Sequence, residues 1–275
     1  MMAFEAAGKR IGSLNVNLAR VVLGVLFLSV FCYLRRGLWL PSDASLHAWI
    51  WLSASGIAGL TLGDMCLLKA FVLVGSRISA LIMAFVPMLS ALISWVFLGE
   101  LLNLQDQAGM LLTTTGIVMV VMRRPNGKAR NKYPLKGLLL ALGGAIGQSV
   151  GLVFSKFGMG SYDAFAANHI RLLAALAGFT VIFLLTGRWR GVLPAVGHRS
   201  GMGFATLGSF FGPFVGVSLS LYAVQHTQVG VAATIIALVP VFIIPPAVLI
   251  KKEVIGLRDV TGAFIAVAGS VLLFL

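Results

Sequence analysis

Residues 70–122 of this chain return, without a gap, as residues 223–275. At a constant offset of 153, Pro87 meets Pro240, Glu100 meets Glu253, Asp106 meets Asp259, Gly109 meets Gly262 and Gly116 meets Gly269. A duplicated block of apolar segments, each copy broken by a mid-segment proline, is a construction that many membrane transporters use. A second alignment extends the repeat. Arg20 meets Arg171 at an offset of 151, which leaves the segment 135–155 with no counterpart upstream of about residue 4. The expectation is that the chain as written lacks the first helix of its first repeat.

The composition fits a bilayer. Hydrophobic residues make up 59% of the chain and charged residues 11%, with a mean hydropathy of +1.00. Soluble domains carry about 25% charged residues, and runs of about 20 apolar residues span the hydrocarbon core. The net charge of +13 does not point to nucleic acid, because the basic residues sit in short connectors between apolar runs and no nucleic-acid module is present. Cys32 and Cys66 both lie inside apolar segments, which gives neither a disulfide framework nor metal spacing. No phosphate-binding loop, metal cluster or nucleophilic constellation stands out, so the reading is not an enzyme, with no cofactor and no metal.

Hydropathy predicts nine spanning helices, over 14–34, 48–73, 77–99, 104–122, 135–157, 165–187, 203–224, 229–250 and 256–275. The expected fold is an all-α integral membrane bundle of two inverted five-helix repeats, nine helices being visible. Residues 1–124 form an incomplete first repeat, 125–134 a basic linker and 135–275 the second repeat. An odd number of helices per repeat makes equivalent helices run in opposite directions. Fifteen Lys or Arg fall on the side of the central linker, against Arg35, Arg36 and Lys156 on the other. Such a bias favours the linker in the cytoplasm, sidedness being left open, and the expected location is a bacterial plasma (inner) membrane. Trp39, Trp49, Trp51 and Trp189 fall near predicted helix ends, where indole rings favour the interface, and Trp95 is read as deeper packing.

Small residues recur at four-residue spacing in Gly143, Gly147 and Gly151 and in Gly208, Gly212 and Gly216. Gly59 and Gly63 match the last two across the repeat. Missing side chains let helices approach closely, as static packing or as a sliding contact. Pro87 and Pro240 free backbone carbonyls at equal depth, as a kink or as part of a midplane site. Charges inside apolar runs demand an explanation. Arg20 and Arg171 near the starts of equivalent helices, and Lys69 near a helix end, either snorkel to the interface or serve inside. Asp64, deep in its segment, is the candidate carboxylate for proton or substrate coupling, or else a hydrogen-bonded structural acid. Gln148 and Ser149 lie mid-helix, and Ser209, Ser218, Ser220, Tyr222, Gln225 and His226 add polar groups further on. His169 is read as solvated or capping near a membrane edge.

The stretches ALIMAFVPMLSALISWVFLGELLNLQDQAGMLLTTTGIVMV and AATIIALVPVFIIPPAVLIKKEVIGLRDVTGAFIAVAGSVLLF resemble the drug/metabolite transporter superfamily, in its EamA-type branch. The shared pattern is a mid-helix proline, a glutamate ending that helix, then a glycine-bearing final helix. NVNLARVVLGVLFL and NHIRLLAALAGFTVIFL resemble that family's second helix in each repeat, with Arg20 and Arg171 at its arginine position. Lys251 and Lys252 depart from the apolar run that usually precedes the glutamate. The resemblance implies a ten-helix carrier that exports small metabolites by alternating access, commonly with proton coupling or exchange. The reading is therefore a membrane carrier of small organic metabolites, such as amino acids or drug-like solutes, with Asp64, Pro87, Gln148, Tyr222 and Pro240 lining its cavity. Its partners are a small-molecule solute and the lipid bilayer, a homodimer being left open. The rivals are a lipid or lipid-linked sugar flippase, and a truncated or assembly protein that transports nothing.

Overall fold

The structure, a computed structural model, describes residues 13–121, 134–187, 189, 199–242 and 257–273. Most of the basic linker, and with it Pro245, Pro246, Lys251, Lys252 and Glu253, lies outside the described residues. The described secondary structure is helical. The helices are α1 (Ser13–Arg36), α2 (Leu46–Ser55), α3 (Asp64–Met83), α4 (Val86–Leu98), α5 (Leu104–Val121), α6 (Leu135–Met159) and α7 (Ala164–Thr186). They continue as α8 (Arg199–Ser209), α9 (Val217–His226), α10 (Val229–Ile236), α11 (Val239–Phe242) and α12 (Leu257–Leu272). Two π-helical segments, π1 (Gly56–Gly63) and π2 (Phe210–Gly216), join α2 to α3 and α8 to α9.

Six stretches among the described residues are long and apolar enough to cross a membrane: Asn15–Arg36, Leu46–Gly75, Ile78–Leu98, Leu135–Met159, Ala164–Thr186 and Ser200–His226. The other three expected spans are represented by α5, by α10 with α11, and by α12, and part of each of those stretches is not described. The predicted boundary between the second and third spans falls where the backbone turns. Gly75 has φ 82° and ψ 159°, a region essentially closed to residues with a Cβ. The chain thus leaves one helix and enters the next within α3.

Capping follows local chemistry. Ser45 accepts the Ala48 N–H at the start of α2. Asn103 and Asp106 form a reciprocal capping box at the start of α5: Asn103 Oδ1 accepts the Asp106 N–H at 2.6 Å, and Asp106 Oδ2 accepts the Asn103 N–H at 3.3 Å. In the first repeat the duplicated aspartate is therefore a helix-starting residue. Asp163 Oδ1 takes the N–H groups of Phe165 and Ala166, both at 3.0 Å, and starts α7.

The chain forms two compact units, each drawn from both sequence repeats. Unit 1 contains Met1–Thr61 and Phe154–Gln225; unit 2 contains Leu62–Val153 and His226–Leu275. In unit 1 a core of Ala48, Leu52, Met159, Ala164, Ala167, Ile170 and Leu221 joins α2, α6, α7 and α9. In unit 2, Ala84, Ile117, Leu238, Val241 and Ala266 form one cluster and Ala70, Val74 and Ala141 another.

The inversion of the repeats is visible inside unit 2. Gly109 of α5 faces Gly269 of α12, and Gly116 faces Gly262. Rising along one helix means descending along the other, so these equivalent helices run antiparallel. The offset of 153 exchanges the two glycine pairs, and at its centre Thr113 donates to the carbonyl of its own counterpart, Ala266, at 3.3 Å. A Cβ on any of the four glycines would fall within 3 Å of backbone across the contact, so these residues set the helix separation.

Of the glycines along α6, Gly144 makes a closer approach than Gly143. A Cβ on Gly143 would meet Cys66 Sγ only at 3.7 Å, an ordinary contact, whereas one on Gly144 would lie 3.2 Å from Leu67 Cβ and 3.3 Å from the Gly63 carbonyl oxygen. A Cβ on Gly137 would press on Val74, with Leu73 Cβ at 3.0 Å, and one on Gly158 would lie 2.6 Å from Trp51 Cβ, both tighter than at Gly144. Gly137 and Gly144, seven residues apart, both face α3, and Gly158 faces α2. Trp95 is corrected: it is exposed on α4 rather than packed inside.

Candidate functional site

The duplicated prolines mark duplicated breaks. After α3 the Ala84 N–H donates to the Ala80 carbonyl and the Phe85 N–H to that of Ile82, and α4 then starts with Pro87 in its first turn. After α10 the Ala237 N–H donates to Ala233 and the Leu238 N–H to Ile235, and α11, with Pro240, follows. Bond for bond the two breaks are related by the repeat. Proline is tolerated here because the first turn of a helix needs no N–H. Sequence reasoning expected kinks within continuous helices; the structure has two-residue interruptions that restart them.

Asp64 opens α3 directly after π1 and is 8% exposed. Gln148 Nε2 of α6 donates to Asp64 Oδ1 at 3.0 Å. The adjacent Ser149, fully buried, donates to the Val86 carbonyl at 3.2 Å and to Ala145 at 2.9 Å. Two neighbouring side chains of α6 thus hold the buried acid and the first residue of the restarted helix that carries Pro87. Buried Pro87 and, one turn further, the Ser90 hydroxyl, buried without a hydrogen-bond partner, complete this part of unit 2. The arrangement can do two things: exchange a proton at a carboxyl group, or accept a hydrogen-bond donor of a solute.

Of the five residues expected to line a cavity, the structure joins Asp64 and Gln148 directly and puts Pro87 next to the acceptor of Ser149. Pro240 lies in α11 of the same unit. Tyr222 belongs to unit 1 and is 54% exposed on α9. Lys69 is exposed and Arg20 half-buried. Arg171 is 3% exposed, where a snorkelling head group would reach the surface.

His169 is not solvated. It is fully buried, with Nε2 3.1 Å from Ser29 Oγ. A polar cover lies over the start of α7 at Asp163, six residues before it. Arg35 pairs with Asp163 at 3.0 Å, Arg36 donates to Tyr162 and pairs with Asp43, and Tyr162 donates to Asp43 at 2.9 Å. Gln225 Nε2 ties Gly160 and Tyr162 carbonyls into the same cover, at 2.7 and 3.0 Å. Burial, opposed by the Arg36 hydrogen bond and reinforced by the bond to Asp43, pushes the Tyr162 phenol up to about 12. Burial works against Asp43, but hydrogen bonds from Tyr162 and its own backbone, with the Arg36 guanidinium, hold its carboxyl below the usual range.

Three features escaped sequence reasoning. Glu100 Oε2 accepts the Val229 N–H at 2.9 Å, so the glutamate ending α4 caps α10 of the other repeat, whose own N-cap Gln228 makes no side-chain cap bond. The π segments were also unforeseen, although Gly59 and Gly63 matching Gly212 and Gly216 marked their places. The third is the role of Asn168, a polar residue visible just before Arg171, which is buried at the start of α7 and donates to Pro213 and Ser218.

Known proteins resemble the chain in the same sense. The model of the EamA-like transporter family matches residues 1–122 and 135–275. No curated protein matches. A solved crystal structure is similar with a TM-score of 0.73 at 19% sequence identity, covering 98% of this chain and 89% of that one; at that identity the likeness shows the fold.

Proposed function

Because the chain belongs to the EamA-like transporter family, we propose that it carries small organic solutes across the membrane by alternating access of its inverted repeats. It is an integral membrane transporter and not an enzyme. The observation that carries the reading is the pair of matching helix breaks at Ala84–Phe85 and Ala237–Leu238, beside Pro87 and Pro240. Interrupted helices at corresponding places in two inverted halves are the usual framework of a transport site. In unit 2, Asp64 and Gln148 supply its polar groups and Pro87 and Pro240 its broken backbone. Tyr222 is kept as a candidate of unit 1. Asp64 takes the coupling role, binding a proton or a donor group of the solute, and Gln148 orients its carboxylate. The location is a bacterial plasma membrane, supported by the charge bias of the connectors.

Flux tests this reading. Purified full chain in liposomes should release at least one water-soluble metabolite from a panel of amino acids, amines and nucleosides, and should leave a fluorescent phospholipid in its leaflet. Lipid movement without solute flux would favour the flippase, and movement of neither would refute the carrier.

A further inference from the structure

We propose that Asn168 is a positioning residue that reads and holds the π register of π2, and so sets which face α9 presents. Asn168 is fully buried on α7. Its Nδ2 donates both to the Pro213 carbonyl at 2.7 Å and to Ser218 Oγ at 3.0 Å. Both partners belong to one helical path, five residues apart. In an α-helix a carbonyl faces the amide four residues on, and residue five lies about 140° round the axis. In a π-helix the carbonyl faces residue five. One amide nitrogen, with two protons in a fixed plane, therefore reaches Pro213 and Ser218 together when the turn between them is π.

Independent geometry places the same turn in π register. The Val217 N–H bonds the Gly212 carbonyl, five residues back. A Cβ on Gly216 would fall 2.8 Å from the Phe211 carbonyl, again five residues back, which explains a glycine there. The clamp is a property of the second repeat. At the repeat offset, Pro213 and Ser218 correspond to Leu60 and Met65, which bring neither a proline nor a hydroxyl, although Asn17 stands where Asn168 does. π1 is packed differently, with Gly56 against the Arg171 carbonyl and Thr61 against Gly178.

Release of the clamp lets π2 rewind to α, which turns α9 by one residue, about 100°. Tyr222, exposed at 54%, would leave its present direction, and a neighbour would replace it; Leu221 is now fully buried. The consequence for transport rests on the carrier reading: without the clamp, turnover slows while half-saturation is kept.

The test is a labelling scan. In a chain carrying Cys32→Ala and Cys66→Ala, cysteines are placed singly at 221, 222 and 223 and reacted in detergent with a small membrane-permeant maleimide, with and without Asn168→Leu. With Asn168 present, position 222 should label and 221 should not. With Asn168→Leu, labelling at 222 should fall roughly threefold or more, and 221 or 223 should gain, as a turn of about 100° requires. Where Asn168→Leu does not fold, Ser218→Ala removes one arm of the clamp and should shift the pattern in the same direction, less far. An unchanged pattern in a folded variant overturns the proposal, even if its thermal stability drops, because a merely structural asparagine would leave the register alone. The scan uses no solute, so it stands if the carrier reading fails.

Discussion

Replacing Gly116 by alanine should push α5 and α12 apart. A Cβ there would sit 2.5 Å from the Gly262 carbonyl oxygen and 2.8 Å from Ala266 Cα, about 0.9 Å short of the 3.4 Å at which ordinary contact begins. These are backbone atoms, so no rotamer change relieves the overlap and one helix must move. Overpacking of this kind costs about 1–3 kcal/mol, and the rigid neighbours put Gly116→Ala at the upper end. At about 2–4 °C per kcal/mol for a chain of this size, the midpoint should fall by roughly 5–10 °C. The assay is thermal unfolding in detergent, followed by tryptophan fluorescence. Two internal standards fix the scale. Gly143→Ala meets only Cys66 at 3.7 Å and Gly203→Ala meets nothing within 4 Å, so both should stay within a degree or two or rise slightly from better helix propensity. Gly269, the repeat partner of Gly116, would press on the Thr113 backbone nitrogen at 2.5 Å, so Gly269→Ala should match Gly116→Ala. A Gly116→Ala protein as stable as the Gly143→Ala protein would refute the contact and, with it, the antiparallel pairing of the repeats.

Other expectations follow from single interactions. Glu100→Ala removes the cap on α10 and should lower stability by about 0.5–2 kcal/mol, with Glu100→Gln recovering part of it, measured by the same unfolding assay. Gln148→Leu withdraws one donor from buried Asp64 and should cost about 1–3 kcal/mol, whereas the double variant with Asp64→Asn should cost less than the two single changes together. The loop cover of Asp43 and Tyr162 should be stable in a window of pH. The lowered Asp43 pKa contributes stability above the ordinary carboxylate range that is lost as pH falls through the folded value. The raised Tyr162 pKa contributes below 10 and is lost as pH rises towards about 12. Asp43→Asn should flatten the acid limb and lower the Tyr162 titration, read by tyrosinate absorbance.

Much of this fold was legible because hydropathy and repetition are one-dimensional signals. The helix ends near Gly75, Leu98 and Thr186 follow from glycine and connector chemistry, and the inversion follows from counting helices. Asp64 and Gln148 could each be singled out as polar groups in apolar runs, but their hydrogen bond spans 84 residues and depends on how α6 lies against α3. That Gly144 rather than Gly143 closes on α3 depends on the same packing, which a row of small residues within one helix does not show. The role of Asn168 and the π segments were invisible in kind. A π turn has no composition of its own, and its mark in the sequence, Gly216 five residues after Phe211, has meaning only once the carbonyl is located.

The most direct test of the carrier account is solute counterflow into liposomes containing the full chain, beside the Asp64→Asn variant of equal thermal stability. The account predicts a transient accumulation of labelled solute with the wild-type chain, and, with Asp64→Asn, either its loss, as a solute-binding acid requires, or its retention with loss of uptake driven by a pH gradient, as a proton-coupling acid requires. Accumulation by neither chain, or counterflow and gradient-driven uptake both equal in the two chains, would contradict a carrier working through Asp64.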